Sequence, residues 1–492
     1  MKKFAISAVA ALTATTALAN DLPQAGNEWF TAGQAMLEQK AAVAPITTKA
    51  KNVIILIADG NGVGTNYATR LYAGQKAGNY GDEHVLSHET FPHLALAKTY
   101  NVNAQTPDSA GTGTAMHSGV KTKAGVIGVD ETLNRGDCSQ VEGATVANAA
   151  EIFSAMGKSV GVVSTARLTH ATPASVYSHS ADRNFENNGD LPEGCAVPDI
   201  AAQMIDAMEA GRIQVALGGG RRNFLDANTT DSEGKKGRRT DVNLVERAKE
   251  LGAAYAENSA QTAELPLDGT PLLGLYEASH MQYEADRDGE PSLAEMTEIA
   301  IKSLQNDEDG FFLSIEAGRV DHANHAGNLA RVVQDGVAFA DAVAIADELT
   351  NDEDTLIVVT ADHEHAIAFA GYAGRGADIL GLSMKVNPNG TEHTGEPNLG
   401  KDGKPYTTVM YLNGGGSILR EDQNWTGGRP ELTQEEATDL DYVQQALVPM
   451  SSETHSGEDV AIFAKGPMAH LLNGVVEQNF VFHVMHHAAT AE

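Results

Sequence analysis

Three stretches of this chain deliver a carboxylate at the end of an apolar run. VIILIADG ends on Asp59, FFLSIEAGRVDHANH carries Glu316 with Asp321 and His325 behind it, and LIVVTADHEH carries Asp362 and His363. One such strand end is ordinary. Three of them, two with histidine attached, are hard to explain by packing. Carboxylate oxygens together with imidazole nitrogens suit Zn²⁺, whereas an oxygen-only set suits Mg²⁺. Asp321 and His325 stand four apart, so one helical turn would aim both at a single point. That spacing alone is a weak motif, but the combined set is a strong one.

A nucleophile is offered by TPDSAGTGTAM, residues 106–116. Small residues after Ser109 permit a tight turn into a helix whose first amides point at the serine, and a helix N-terminus is ready to hold phosphate. Taken alone, the segment reads more readily as an ordinary small-residue turn. Serine is a weak nucleophile at neutral pH, and a metal beside its oxygen would strengthen it. DGNGVG, by contrast, lacks the lysine and spacing of a nucleotide-binding P-loop.

The elements that must position these groups are short continuous apolar runs: Val53–Ala58, Val160–Ser164, Val215–Leu217, Phe311–Ile315, Leu356–Thr360 and Val460–Ala464. Runs of this kind suit a sheet buried on both faces. Between them lie helical stretches. Leu293, Met296, Ala300 and Leu304 share one face, as do Val333, Val337, Ala340 and Ala344. The alternation predicts an α/β fold, a large and mostly parallel central sheet with helices on both faces, in which function gathers at the carboxyl ends of the strands. Residues 374–450 are rich in Gly, Asn, Pro and Thr with little periodicity, and are expected to form a surface insertion. A helical arm is expected over Glu28 to Ala42, with Trp29, Phe30, Met36 and Leu37 apolar.

The N-terminus has the layout of a signal peptide over residues 1–19: basic Lys2 and Lys3, an apolar centre from Phe4 to Leu12, and a small-x-small site at Ala17-Leu18-Ala19. The mature chain is expected to begin near Asn20 and to be exported to the periplasm or beyond. Elsewhere no apolar run reaches the length of a membrane span. Cys138 and Cys195 are the only cysteines. In an oxidising compartment they are expected to pair. With 66 acidic against 34 basic residues the net charge is -32, which argues against nucleic acid as a partner. An acidic surface of this kind would also suit high salt, where screening removes self-repulsion.

The run of motifs from DGNGVG through TPDSAGTGTA, HSGVKT, IEAGRVDHANHAGN and TADHEHA to ETHSGEDVAIFAKGPMAHLL closely resembles the alkaline phosphatases. The likeness covers nearly the whole mature chain and leans toward the animal type. It implies a helical arm over 20–48, a catalytic domain over 49–492 with a crown-like insertion at about 374–450, and a homodimer to which the arm contributes. It implies hydrolysis of phosphate monoesters through a phosphoserine on Ser109, with two Zn²⁺ and one Mg²⁺ per subunit.

Residue by residue, the resemblance gives Asp321, His325 and His455 to the first zinc. It gives Asp362, His363 and the Ser109 oxygen to the second, with Asp59 bridging toward magnesium. Glu316 and Thr172 are the remaining protein ligands of magnesium, and Arg183 grips phosphate. His170 and His322 match the animal type and are expected to act just outside the ligand sets. Glu277 and Glu290 match carboxylates of a further Ca²⁺ or Mg²⁺ site. Thr172, Arg183 and His455 rest on the resemblance alone. His365, His486 and His487 are expected to be exposed rather than liganded.

Overall fold

All six apolar runs become strands of one ten-stranded sheet. In the computed structural model, which describes residues 22–491 apart from 418, 421–423 and 426–427, the strands are β1 (Asn52–Ala58), β2 (His93–Lys98), β3 (Ser159–Arg167), β4 (Val215–Gly219), β5 (Ala254–Ala256), β6 (Leu272–Leu275), β7 (Phe311–Ala317), β8 (Thr355–Ala361), β9 (Val460–Lys465) and β10 (Gly474–Glu477). Their order across the sheet is β10-β2-β9-β8-β1-β7-β3-β4-β6-β5. Only β9 runs antiparallel to its neighbours. The expected signal peptide, 1–19, lies outside the described residues.

β1 shows why the runs had to be continuously apolar. All seven of its residues are buried. Val53, Ile55 and Ile57 face one core, while Ile54, Leu56 and Ala58 face the other. Helix Ile200–Glu209 and the C-terminal helix Phe480–Thr490 cover the first face, and Leu293–Leu304 and Leu329–Glu348 cover the second. The Leu293–Leu304 helix begins with a capping box, Ser292 with Glu295, which satisfies two otherwise orphaned amides. At about 25 cal/mol per Å2, burial of one large apolar side chain contributes roughly 1.5–3 kcal/mol. The doubly covered strands are therefore the rigid floor on which the site is built.

The chain divides into two units, Met1–Pro45 and Ile46–Glu492. In the first, helix α1 (Glu28–Ala42) is capped by the Asn27 side chain, which accepts from the Trp29 and Phe30 amides, and it buries none of its residues. In the second, residues 374–450 supply no strand to the large sheet among the described residues. Val409–Gly414 is instead the middle strand of a separate three-stranded sheet, between Ile367–Phe369 and Ala446–Pro449.

Candidate active site

β8, β1 and β7 are adjacent, and Asp59, Glu316 and Asp362 sit at their carboxyl ends. Asp59 follows β1, Glu316 is the penultimate residue of β7, and Asp362 and His363 follow β8. Two helices complete the arrangement: α2 (Ser109–Ser118) and α3 (Arg319–His325). Asp108 caps α2 by accepting from the Gly111 amide at 3.1 Å, which leaves Ser109 as the first helical residue. A Cβ on Gly113 would lie 2.6 Å from Ser175 Oγ, so only glycine lets α2 approach this closely.

Asp321, His325 and His455 converge. His325 Nε2 and His455 Nε2 lie 3.3 and 3.2 Å from Asp321 Oδ1 and 3.1 Å from each other. Each ring donates its other nitrogen outward, His325 Nδ1 to the Glu453 carbonyl at 2.7 Å and His455 Nδ1 to the Pro107 carbonyl at 2.9 Å. Those bonds fix the tautomer and leave both Nε2 lone pairs pointing at one spot, the posture of metal-ligating imidazoles. Despite burial, the surrounding imidazoles hold the Asp321 carboxyl well below its usual range.

A second set adjoins it. His363 Nε2 lies 3.3 Å from Asp59 Oδ1 and 3.3 Å from Asp362 Oδ2. Ser109 Oγ is 3.3 Å from His363 Nε2 and 3.4 Å from the nearer Asp59 oxygen. Asp362 is held by the Gly60 amide at 3.0 Å and by Thr112 Oγ1 at 3.1 Å. Burial, and then the charges of Asp362, Asp321 and Glu316, push the Asp59 carboxyl far up. Carboxylates packed this closely need a cation among them to stay ionised.

The third set is Asp59, His170 and Glu316. Glu316 Oε2 accepts from Ser164 Oγ, while Glu316 Oε1 and Thr172 Oγ1 are buried and make no hydrogen bond. Buried polar atoms are rarely left so, and such a carboxylate oxygen on Glu316, which stands with Asp59 and His170, fits a hard cation.

Facing the three sets, Arg183 donates to Asp108 Oδ2 at 3.2 Å and to His170 Nε2 at 3.0 Å. A cavity of about 470 Å3 opens here, lined by Ser109, His170, Arg183, His322, His325 and His455 among others. Burial pushes the His322 imidazole down to about 3, and His170 is lowered by burial and by Arg183. Both therefore present neutral rings. A third histidine that sequence reasoning did not single out, His280, packs against them, with ring centroids 4.0 Å from His322 and 5.3 Å from His170.

His365 departs from expectation. It is buried, with Nε2 2.9 Å from Asp321 Oδ1 and Nδ1 2.6 Å from Glu453 Oε2. Against the cost of burial, these two carboxylates push it up to about 10. The reason is local: Glu364–His365 forms an extended bridge with His455–Ser456, and alternation in an extended segment puts residues 363 and 365 on one side. That period of two was the missed signal. His487 is exposed and His486 half-buried.

Glu277 and Glu290 lie apart from these sets. Glu290 Oε2 is taken by the Arg287 guanidinium at 3.1 Å and the Gln282 amide at 2.9 Å, and Glu277 Oε2 accepts from the Ala278 amide at 3.1 Å. Burial pushes Glu290 up to about 7, with Glu277 and Glu233 adding to it. Cys138 and Cys195 are joined by a disulfide.

Comparison with known proteins agrees with this geometry. The family model described as alkaline phosphatase matches residues 50–491. The tissue-nonspecific alkaline phosphatase isozyme of Felis catus is 40% identical over 482 residues, covering 94% of this chain and 88% of that one. The alkaline phosphatase of Gadus morhua is 39% identical over 486 residues, covering 95% and 97%. Among solved structures, alkaline phosphatase from the Antarctic bacterium TAB5 aligns with a TM-score of 0.60 at 21% identity, covering 90% of this chain and 100% of that one. That of Thermus thermophilus aligns at 0.65 and 23% identity, covering 91% and 93%. These two bear on the fold.

Proposed function

The chain belongs to the alkaline phosphatase family, a family of metal-dependent phosphoric monoester hydrolases, and we propose that it works by two phosphoryl transfers, first to Ser109 and then to water. The observation that carries this reading is the position of Ser109 Oγ, 3.3 Å from His363 Nε2 and 3.4 Å from Asp59, at the start of a helix and open to the cavity.

Asp321, His325 and His455 would hold one Zn²⁺; Asp362, His363 and the Ser109 oxygen a second, with Asp59 between it and Mg²⁺; and Glu316 and Thr172 would complete the magnesium set. When bound, these cations supply the positive charge that acidifies the Ser109 hydroxyl and water and neutralises the departing oxygen. Ser109 Oγ gives up its proton to water and forms the new bond to phosphorus as the bond to the substrate's alcohol oxygen breaks, and that oxygen takes a proton from water to leave as the alcohol. The planar fork of Arg183 binds two equatorial oxygens, and the Ser109 amide at the helix N-terminus faces a third. His170 and His322, kept neutral, bound this pocket without adding charge. Water then attacks the phosphoserine from the side lined by Asp321, His325 and His455. Serine is released together with inorganic phosphate.

Finer features follow the same reading. We take residues 1–19 as a signal peptide and the product as periplasmic or extracellular, which the disulfide supports. No helix of the described residues is long and apolar enough to cross a membrane. The exposed Trp29, Met36 and Leu37 of the arm 20–48 support a homodimer, and 374–450 is read as an insertion on the catalytic domain 49–492. Glu277 and Glu290 would belong to a further Ca²⁺ or Mg²⁺ site. The charge of -32 supports tolerance of high salt. The test of function is hydrolysis of an aryl phosphate from neutral to alkaline pH, before and after chelation, with Zn²⁺ and Mg²⁺ returned separately and together. Turnover lost on chelation and fully restored only by both metals is expected. No turnover from metal-loaded protein would refute it.

A further inference from the structure

Glu453 is a fully buried carboxylate that no Lys or Arg neutralises among the described residues. Burying such a charge is costly unless its partners are well placed. Its contacts with His365 and His325 lead to the first set of ligands. Its Oε2 accepts from His365 Nδ1 at 2.6 Å, and His365 Nε2 reaches Asp321 Oδ1 at 2.9 Å. Its Oε1 accepts from the Ala366 amide at 2.7 Å, which fixes the carboxylate plane. Its carbonyl accepts from His325 Nδ1 at 2.7 Å, and its amide donates to the His325 carbonyl at 3.0 Å. Two residues further along the chain stands His455.

We propose that Glu453 is a positioning residue for the first metal site, clamping Asp321 through His365 with its carboxylate and His325 directly with its main chain. The inference rests on reading Asp321, His325 and His455 as a zinc site. A carboxylate behind an imidazole behind a ligand carboxylate fixes both the direction and the charge of the outermost oxygen. Partners of this kind are worth about 10–100-fold in metal affinity. The main-chain contacts explain why His325 offers Nε2 rather than Nδ1. They also tie helix α3 to the segment that carries His455, so that ligands far apart in sequence keep one geometry.

The test is zinc affinity of the full-length protein, measured by competition with a chelator, for E453Q, H365Q and the double variant, with D321N as reference. D321N is expected to lose one zinc per chain; if it keeps the parental zinc content, the zinc-site reading fails and the proposal with it. With that loss seen, E453Q is expected to bind zinc about 10–100-fold more weakly, while saturating zinc returns kcat to within a few fold of the parent. H365Q is expected to show the same loss, and the double variant little more than either. Parental affinity in E453Q, or in H365Q should E453Q not fold, would overturn the proposal. So would fully additive losses in the double variant.

Discussion

Ser109 Oγ and His363 Nε2 stand 3.3 Å apart, the separation of a serine and its general base, but the surroundings of His363 make it a weak base. His363 is fully buried, which drives its imidazole toward the neutral form, with His455 adding to the effect. Its Nε2 also faces Asp59 and Asp362 at 3.3 Å each. An imidazole so placed has its lone pair aimed at the same point as two carboxylate oxygens and a hydroxyl. On the proposed reading these four atoms would surround one cation, and its charge rather than proton transfer to histidine would activate Ser109.

Arg183 is held by Asp108 and His170 but presents its fork to the cavity. Arg183→Ala should lower kcat/KM by about 10–100-fold, the value of charge-assisted hydrogen bonds worth about 1.5–3 kcal/mol. Inhibition by inorganic phosphate should weaken in parallel. Arg183→Lys should recover only part, since a point charge cannot bind two oxygens at once. An unchanged phosphate inhibition constant in the alanine variant would contradict the role.

His170 shares the third set with Asp59 and Glu316, and its Nδ1 is buried without a hydrogen bond. His170→Asp adds a third carboxylate there, and should make the protein retain magnesium more tightly against a chelator and change its turnover. Metal content and turnover equal to the parent's would show that the ring has no part in that set.

Asp335 supplies a pH dependence remote from the three ligand sets. Burial pushes its carboxyl up to about 7 against 3.8 for the free group, although it accepts a hydrogen bond from the Glu284 amide. The folded state thus holds this proton more tightly than the unfolded one. The stability it contributes is complete below about 3.8 and is lost as pH rises through about 7. Asp335→Asn should therefore raise the melting temperature, and the gain should grow from pH 5 to pH 8. A gain that does not vary with pH, or a loss at pH 8, would contradict this.

The Cys138–Cys195 bond closes a separation of 57 residues. Chain-entropy arguments put its worth at about 4 kcal/mol, with measured values for native disulfides running about 2–5 kcal/mol. Replacing both cysteines by serine should cost about that much in denaturant unfolding. A loss below about 1 kcal/mol would show that packing alone holds the 138–195 segment.

The central sheet was legible because β1, β7 and β8 are buried on both faces and so are apolar without interruption up to the residue that leaves the sheet. Edge strands were not. β2 alternates buried and exposed residues in part, and β5 has three residues, too little pattern to distinguish from a loop. Asp59, Glu316, Asp321, His325, Asp362 and His363 could be singled out because each lies at or just beyond a readable strand. His455 and Arg183 could not, since a two-residue strand carries the first and a loop the second, both placed by tertiary packing, and resemblance supplied them. His365 and Glu453 were missed because a buried charge pair leaves no trace in composition or periodicity. Their partners lie 88 residues apart.

The most direct test of the account is the site of phosphorylation. Full-length, metal-loaded protein is mixed with an aryl phosphate, quenched in acid, digested and mapped by mass spectrometry. The account predicts phosphate on Ser109 and on no other residue of the 106–116 peptide, and a Ser109→Ala protein that keeps its zinc but loses turnover by roughly a thousandfold or more. Phosphate on a different residue, or parental turnover in Ser109→Ala, would contradict it.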